Sequence, residues 1–288
     1  MTMFGTFWAG PRLSAFEAAC LQSFAVRGHP VTLFSFGSVG DVPDGVSLAN
    51  AQDIVDASTL TRFLINGQPS LSHFSDYFRY VMFSKTDLVW IDTDVMMLAN
   101  FDHDPRSSLL ALEDARSLCG AVMRIGTEDP WLPTLIARTE ALMDTRMRWG
   151  DTGPRLLTQV CGNQVGTAHR KELFFPIHYD EFWKVFLPEH FEECKALCKE
   201  AFTLHLWNNI VDQLGFWKDL LPPKGSFLQH LFAENGSQTY FRSTFPVGNM
   251  RRLVENWRAG RSGNQLGIGS VVRQMVPSVG RTVRHYVG

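Results

Sequence analysis

The sequence predicts an α/β layer protein, and three features carry that expectation. Short apolar runs of strand length alternate with amphipathic stretches of helix length. The first 37 residues read as strand, helix, strand, the unit that builds parallel sheets. A third run, VWIDTDV, ends in two carboxylates, Asp92 and Asp94, where open α/β sheets place their ligand sites.

In chain order, FGTFW (4–8) and VTLFSFG (31–37) are the first two predicted strands. Between them LSAFEAACLQSFAVRG carries Phe16, Ala19, Cys20, Ser23 and Phe24 at helical spacing before Gly28. Residues 71–84 form the next predicted helix, with Phe74, Tyr77, Phe78, Val81 and Met82 on its apolar face. Asp76 and Arg79, three residues apart, come up together beside that face, and a local ion pair is the simplest reading of them. LVWID (88–92), SLLALED (108–114) and LCGAVMRIG (118–126) are further predicted strands, and WLPTLIARTEALMD (131–144) a helix. The chain contains no internal repeat and no low-complexity segment.

With 288 residues, 45% apolar, 12% aromatic and 19% charged, the chain reads as an ordered globular protein able to bury a large core. A net charge of −2 gives no general attraction for nucleic acid, and no base-stacking platform accompanies the basic residues. The five cysteines, at 20, 119, 161, 194 and 198, are odd in number and scattered, which suits a reducing compartment better than a disulfide framework. Cys194 and Cys198 stand one helical turn apart without a second pair, so core packing is expected of them rather than zinc. The start of the sequence shows no signal-peptide pattern, and no run reaches the roughly 20 apolar residues needed to cross a bilayer.

Charge divides the chain in two. From Asn249 onward seven arginines face the single acid Glu255, giving +6 there and −8 over residues 1–248. The expected organisation is a catalytic domain at 1–248 and a basic, mostly helical extension at 249–288. Val272, Met275, Val276, Val279 and Val283 recur at helical spacing in that extension, with arginines on other faces. Such a helix suits an anionic membrane surface, or packs on its own domain.

Two carboxylates where a buried strand ends are costly unless something positive satisfies them. A divalent cation does so economically, because a hard ion held by carboxylate oxygens keeps open positions for phosphate oxygens. A bare D-x-D pattern is common; here an apolar strand precedes it and an S-D-x-x-R-Y helix lies 13 to 18 residues upstream.

That combination resembles a known family. "FSDYFRY" followed by "VWIDTDV" is similar to the donor-binding core of GT-A fold sugar transferases. The group comprises the yeast α-1,6-mannosyltransferases, the globotriaosylceramide synthases (α-1,4-galactosyltransferases), and bacterial enzymes of capsule and lipopolysaccharide assembly. "FWAG", "CLQSF" and "GHPVTLFSF" resemble its first strand, helix and strand; "WGDTGPRLLT" resembles its T-G-P element; "LHLWNN" resembles its H-x-W-N element. The matches span about residues 4 to 209. Asp87 and Leu88 replace the Gly-Gly turn usual before the D-x-D strand.

The resemblance implies a GT-A, Rossmann-like fold and a metal-dependent retaining transferase using Mn2+ or Mg2+. Its donor would be a nucleotide sugar, a UDP-hexose in preference to GDP-mannose, and its acceptor a glycan or glycolipid of surface polysaccharide synthesis. It implies Asp94 as metal ligand, Asp92 as sugar contact with metal support, Asp76 for sugar hydroxyls and Arg79 for the charge of the phosphates. His205 is implied as a further metal or diphosphate contact, with Trp207 and Asn208 closing the pocket. Trp8 is a candidate to stack on the base, and Asp151 to orient the acceptor or to cap a helix. A cytoplasmic protein, peripheral at the inner face of the membrane through its tail, is the expected setting. Two other classes fit the D-x-D alone. A haloacid-dehalogenase-type phosphatase would have Thr or Val where Met96 stands. A non-catalytic sugar- or membrane-binding protein would have no need of Asp76, Arg79, Asp92 and Asp94 together.

Overall fold

A computed structural model describes residues 1–261. β1 (Phe4–Phe7), α1 (Ala15–Ala25) and β2 (Val31–Ser35) form the expected β-α-β unit, with β1 and β2 parallel and Phe4 level with Val31. Ser14 and Glu17 close a capping box at the start of α1, satisfying backbone donors that a helix leaves free. A third parallel strand, β3 (Val46–Asn50), follows. The short strands β4 (Leu64–Ile65) and β5 (Gln68–Pro69) lead into α2 (Leu71–Lys85), the predicted S-D-x-x-R-Y helix. β6 (Val89–Ile91) stops one residue short of Asp92, and β7 (Val95–Met97) starts one residue after Asp94. β8 (Leu109–Leu112), β9 (Leu118–Arg124) and α3 (Trp131–Glu140) are the remaining predicted elements, each shorter than the run that announced it.

Beyond these come β10 (Arg146–Met147), α4 (Pro154–Cys161), α5 (Lys171–Phe174), α6 (Phe191–Leu197), β11 (Thr203–His205), α7 (Asn208–Leu214), α8 (Phe227–Glu234) and α9 (Val247–Arg261). The main sheet has the order β3-β2-β1-β6-β9-β8. β1, β2, β3 and β6 are parallel, whereas β9 runs antiparallel to both β6 and β8. The architecture is therefore mixed α/β around a mostly parallel sheet. After β1 the chain builds outward to β3, then returns to lay β6 on the other side of β1; the carboxyl ends of β1 and β6 flank the crevice where such sheets bind ligands.

Alternation along the strands sends Val89 and Ile91 to the α1 face and Trp90 to the α2 face. α2, α3 and α4 cover one side through Phe74, Phe78, Met82, Leu135 and Leu157. On the other side α1 inserts Ala18, Leu21 and Phe24 against Phe4, Val31 and Leu33. The outer side of α1 is covered as well: Phe16, Ala19 and Cys20 join Phe186, Leu228, Phe232, Met250 and Val254 in a further apolar cluster formed mainly by the C-terminal helices. Nearly every residue of α1 is consequently buried.

All five cysteines are buried and free, Cys194 and Cys198 within this C-terminal cluster. The turn at Asp87–Leu88 is held from outside: Arg124, fully buried, donates from Nη1 to Thr86 O (2.6 Å) and Leu88 O (2.9 Å). Residue 249 falls inside α9, whose Met250 and Val254 are core residues, so the chain around the expected boundary is part of the packed body. The amphipathic pattern at 272–283 lies outside the described residues. Among the described residues no helix is long and apolar enough to cross a membrane.

Candidate active site

A cavity of about 1240 Å3 opens at the carboxyl edge of the sheet, lined by Trp8 after β1, Asp92 and Asp94 after β6, Glu113 after β8, and His205. Its floor is built by strand register. β7 pairs antiparallel with β11, which sets His205 opposite Val95 and thus next to Asp94. Asp92 shares the α2 side with Trp90: Trp90 Nε1 donates to its Oδ1 (2.6 Å), and Arg79 Nη2 stands 3.2 Å from the same oxygen. Asp94 leans the other way. Its Oδ2 lies 3.2 Å from His205 Nε2 and accepts the Asn208 N–H at 2.5 Å.

Asp92, Asp94 and His205 each offer a ligand atom, and the three lie within 4.8 Å of one another. Divalent ions bond oxygen at about 2.1 to 2.6 Å, so ligand atoms on opposite sides of one stand about 4.2 to 5.2 Å apart. Two carboxylates and one imidazole form a donor set able to hold a divalent cation. Among the described residues two buried polar atoms here, His205 Nδ1 and Asn208 Oδ1, have no hydrogen-bond partner, which marks the region as under-satisfied. The donor set fits a metal.

Electrostatics favour the charged forms of Asp94 and His205. Burial would raise the Asp94 carboxyl, but the charge and hydrogen bond of His205, with the Asn208 N–H, hold it below the ordinary range. Burial would lower His205, yet the Asp94 charge, its hydrogen bond and the neighbouring Cys119 raise it well above an ordinary histidine, so a cation bound here would take the place of the imidazole's proton. Asp76 is raised, chiefly by burial, against the opposing charge of Arg79 and the hydrogen bond from Thr152.

Arg79 is 5% exposed and its fork is largely occupied. Nε donates to Ser75 O, Nη1 to Gly120 O, and Nη2 stands 3.2 Å from both Asp76 Oδ1 and Asp92 Oδ1, while the guanidinium lies over the Trp90 ring at 4.7 Å. The ion pair with Asp76 expected from the spacing is present, and Asp92 extends it. In this position Arg79 holds two carboxylates in place. Gly120 allows the close approach: a Cβ there would lie 2.5 Å from Arg79 Nη1. Gly120→Ala is expected to displace the guanidinium and cost about 1 to 3 kcal/mol of stability, measured by urea unfolding.

The T-G-P element packs on α2. Thr152 Oγ1 donates to Asp76 Oδ2 (2.8 Å), Tyr80 Oη donates to Thr152 O (2.9 Å), and a Cβ on Gly153 would meet Asp76 Oδ2 at 2.7 Å. Asp151 accepts the Arg148 N–H (2.7 Å) and pairs with Arg155 at 3.5 Å, and it is not among the residues lining the cavity. Trp207 lines it with its ring 4.0 Å from that of His205, in a left-handed backbone conformation (φ 56°), its Nε1 donating to Ile177 O. Trp8 lines the cavity beside β1, its Nε1 donating to Arg12 O.

A supporting pair went unmarked in the sequence. Glu17, 1% exposed, gives Oε2 to the capping box and Oε1 to Asn208 Nδ2 (3.1 Å) and Lys218 Nζ (3.1 Å). Through Asn208 this network fixes the N–H that holds Asp94. No local signal announces it, because Glu17 reads as a helix cap and Lys218 lies over 200 residues away. Lys218→Met leaves the buried Glu17 without its cation; the expected loss is about 2 to 3 kcal/mol by urea unfolding.

Comparison with known proteins adds to this geometry. Residues 145–240 match the family described as the alpha 1,4-glycosyltransferase conserved region. The chain resembles the α-1,4-glycosyltransferases. It is also similar to lactosylceramide 4-alpha-galactosyltransferase of Rattus norvegicus, 26% identical over 147 residues, 46% of this chain. The match spans 40% of that relative's length. Both likenesses are to sugar-transferring enzymes, in keeping with the globotriaosylceramide synthase resemblance in the sequence. The family segment contains the T-G-P element, His205, Trp207, Asn208 and Lys218; Asp76, Arg79, Asp92 and Asp94 precede it.

Proposed function

We propose that this chain is a metal-dependent retaining glycosyltransferase of the GT-A fold. It moves a hexose from a nucleoside diphosphate sugar, a UDP-hexose, to a hydroxyl of a saccharide or glycolipid. The observation that carries the reading is the convergence of Asp92, Asp94 and His205 in a large cleft at the sheet's switch point.

Breaking a sugar-phosphate bond develops negative charge on the departing diphosphate. A divalent cation supplies neutralisation of that charge, on the order of several kcal/mol. Asp92, Asp94 and His205 would hold it, with Arg79 aligning Asp92 and Asn208 aligning Asp94. The diphosphate role that the resemblance gives Arg79 is better filled by the cation, since the guanidinium is committed to two carboxylates and two backbone carbonyls. Trp8 offers a face to the base, and Trp207 walls the cleft beside His205. Asp76 accepts hydrogen bonds from sugar hydroxyls. The acceptor hydroxyl attacks from the face the diphosphate leaves, so no enzymic nucleophile is needed. Surface polysaccharide synthesis is the proposed setting, in the cytoplasm at the inner membrane face, with the basic 249–288 segment drawing the protein to anionic lipid.

The test is a thermal-shift panel of nucleoside diphosphates with and without manganese. Stabilisation by UDP only when manganese is present supports the proposal. Stabilisation by none, with hydrolysis of p-nitrophenyl phosphate, favours the phosphatase. Equal binding to anionic vesicles by the full chain and one ending at Arg261, which keeps the core residues Met250 and Val254, removes the membrane role of the basic extension.

A further inference from the structure

Glu113 lines the cleft without a role in holding the metal or the diphosphate, and the fold directs it there. β8 is antiparallel to β9, and β9 to β6, so β8 points the same way as β6. Glu113 therefore follows the carboxyl end of β8 as Asp92 follows that of β6. Across the shared strand β9, Asp92 N–H bonds to Ala121 O and Glu113 N–H to Ser117 O. Glu113 thus stands two strands over and four residues farther out, about 13 Å along the strand direction. It belongs to the wall of the cleft above the metal triad rather than to its floor.

Side-chain alternation fixes the direction it faces. Ala111 lies opposite Cys119 in the register, so Glu113, two residues on, shares a face with Cys119 and Ser117. That is the face toward His205, and all four side chains line the cavity.

The carboxylate is also unusual among its neighbours. Asp114 beside it accepts the N–H groups of Arg116 and Ser117. For the Glu113 side chain there is no hydrogen bond or ion pair among the described residues. Burial raises its carboxyl above the ordinary value, with the charge of Asp114 acting the same way and that of His205 opposing. The charge of Glu113 in turn acts on Cys119. The carboxylate is half-buried in the wall of the cleft with no protein donor among the described residues, and its natural complement is a donor that arrives with the ligand. A phosphate would be repelled; a neutral polyol would not.

We propose that Glu113 accepts hydrogen bonds from hydroxyls of the transferred hexose, the group standing next outward from a diphosphate held at Asp92, Asp94 and His205. The inference rests on the glycosyltransferase reading. Its specificity consequence is that Glu113 helps choose among hexoses that differ in one hydroxyl.

The experiment compares wild type with Glu113→Gln and Glu113→Ala by calorimetric titration, in manganese, with UDP, UDP-galactose and UDP-glucose. UDP should bind all three proteins alike, within about twofold. The better-bound nucleotide sugar should weaken about 10- to 100-fold in the variants, as expected for hydrogen bonds to a charged group. The melting temperature of Glu113→Gln should not fall, since no protein partner is lost. Unchanged affinity for both nucleotide sugars overturns the proposal, even with slower transfer, because Glu113 would then face the acceptor. Equal weakening of UDP and the nucleotide sugars, or a lowered melting temperature, overturns it in favour of a structural role. A wild type that binds none of the three defeats the UDP-hexose transferase reading on which the inference rests.

Discussion

Asp94→Ala is expected to abolish manganese-dependent binding of nucleoside diphosphate, by at least about 100-fold, more than loss of a supporting partner costs. The carboxylate is the hub of the floor: it meets His205 at 3.2 Å, takes the Asn208 N–H at 2.5 Å, and is 5% exposed. Asp94→Asn separates two effects. The amide keeps an oxygen for the Asn208 N–H but loses the charge a cation requires, so the fold should be nearly retained while the metal dependence is lost. Calorimetric titration of manganese and of UDP reads both quantities. Affinity within a few-fold of wild type in Asp94→Asn would mean that the triad is not where the metal sits.

Arg79→Met should have the largest effect on stability. The substitution keeps an apolar stem over Trp90 but leaves Asp76 and Asp92 facing each other without their shared cation. Breaking a buried charge pair from one side typically costs about 3 to 5 kcal/mol, and here one guanidinium serves two acids. Urea unfolding measures it. Arg79→Lys should recover only part, because an ammonium cannot pair with two carboxylates and reach the Gly120 and Ser75 carbonyls at once. A loss below about 1 kcal/mol would show that the acids are held by other partners.

The first half of the fold was largely legible, and for identifiable reasons. Local pattern announced β1, α1, β2, α2, β6, β8, β9 and α3 because each carries a period matched to its own burial. β7 was hidden inside the D-x-D run: three apolar residues after a turn look like the tail of one strand, whereas in the fold they pair with β11. The C-terminal helices were harder. They are short, and their aromatic residues pack into a layer over α1 that no local period predicts. At the site, the spacing of Asp76 and Arg79 gave their ion pair, and apolar flanks singled out Asp92 and Asp94. The likeness to H-x-W-N gave His205 and Asn208. Neither route reached Glu17, Lys218 or Glu113, whose roles depend on strand register and on contacts across most of the chain.

The pairing of β7 with β11 joins residues 95–97 to residues 203–205. During vectorial synthesis both aspartates emerge from the ribosome more than a hundred residues before the imidazole that completes the floor. Until then a nascent chain carries like charges side by side with no histidine to oppose them. Closure over such a sequence separation is entropically slow. The floor of the cleft is therefore among the last parts of this protein to mature, and truncated products ending before His205 would lack the imidazole that faces Asp94.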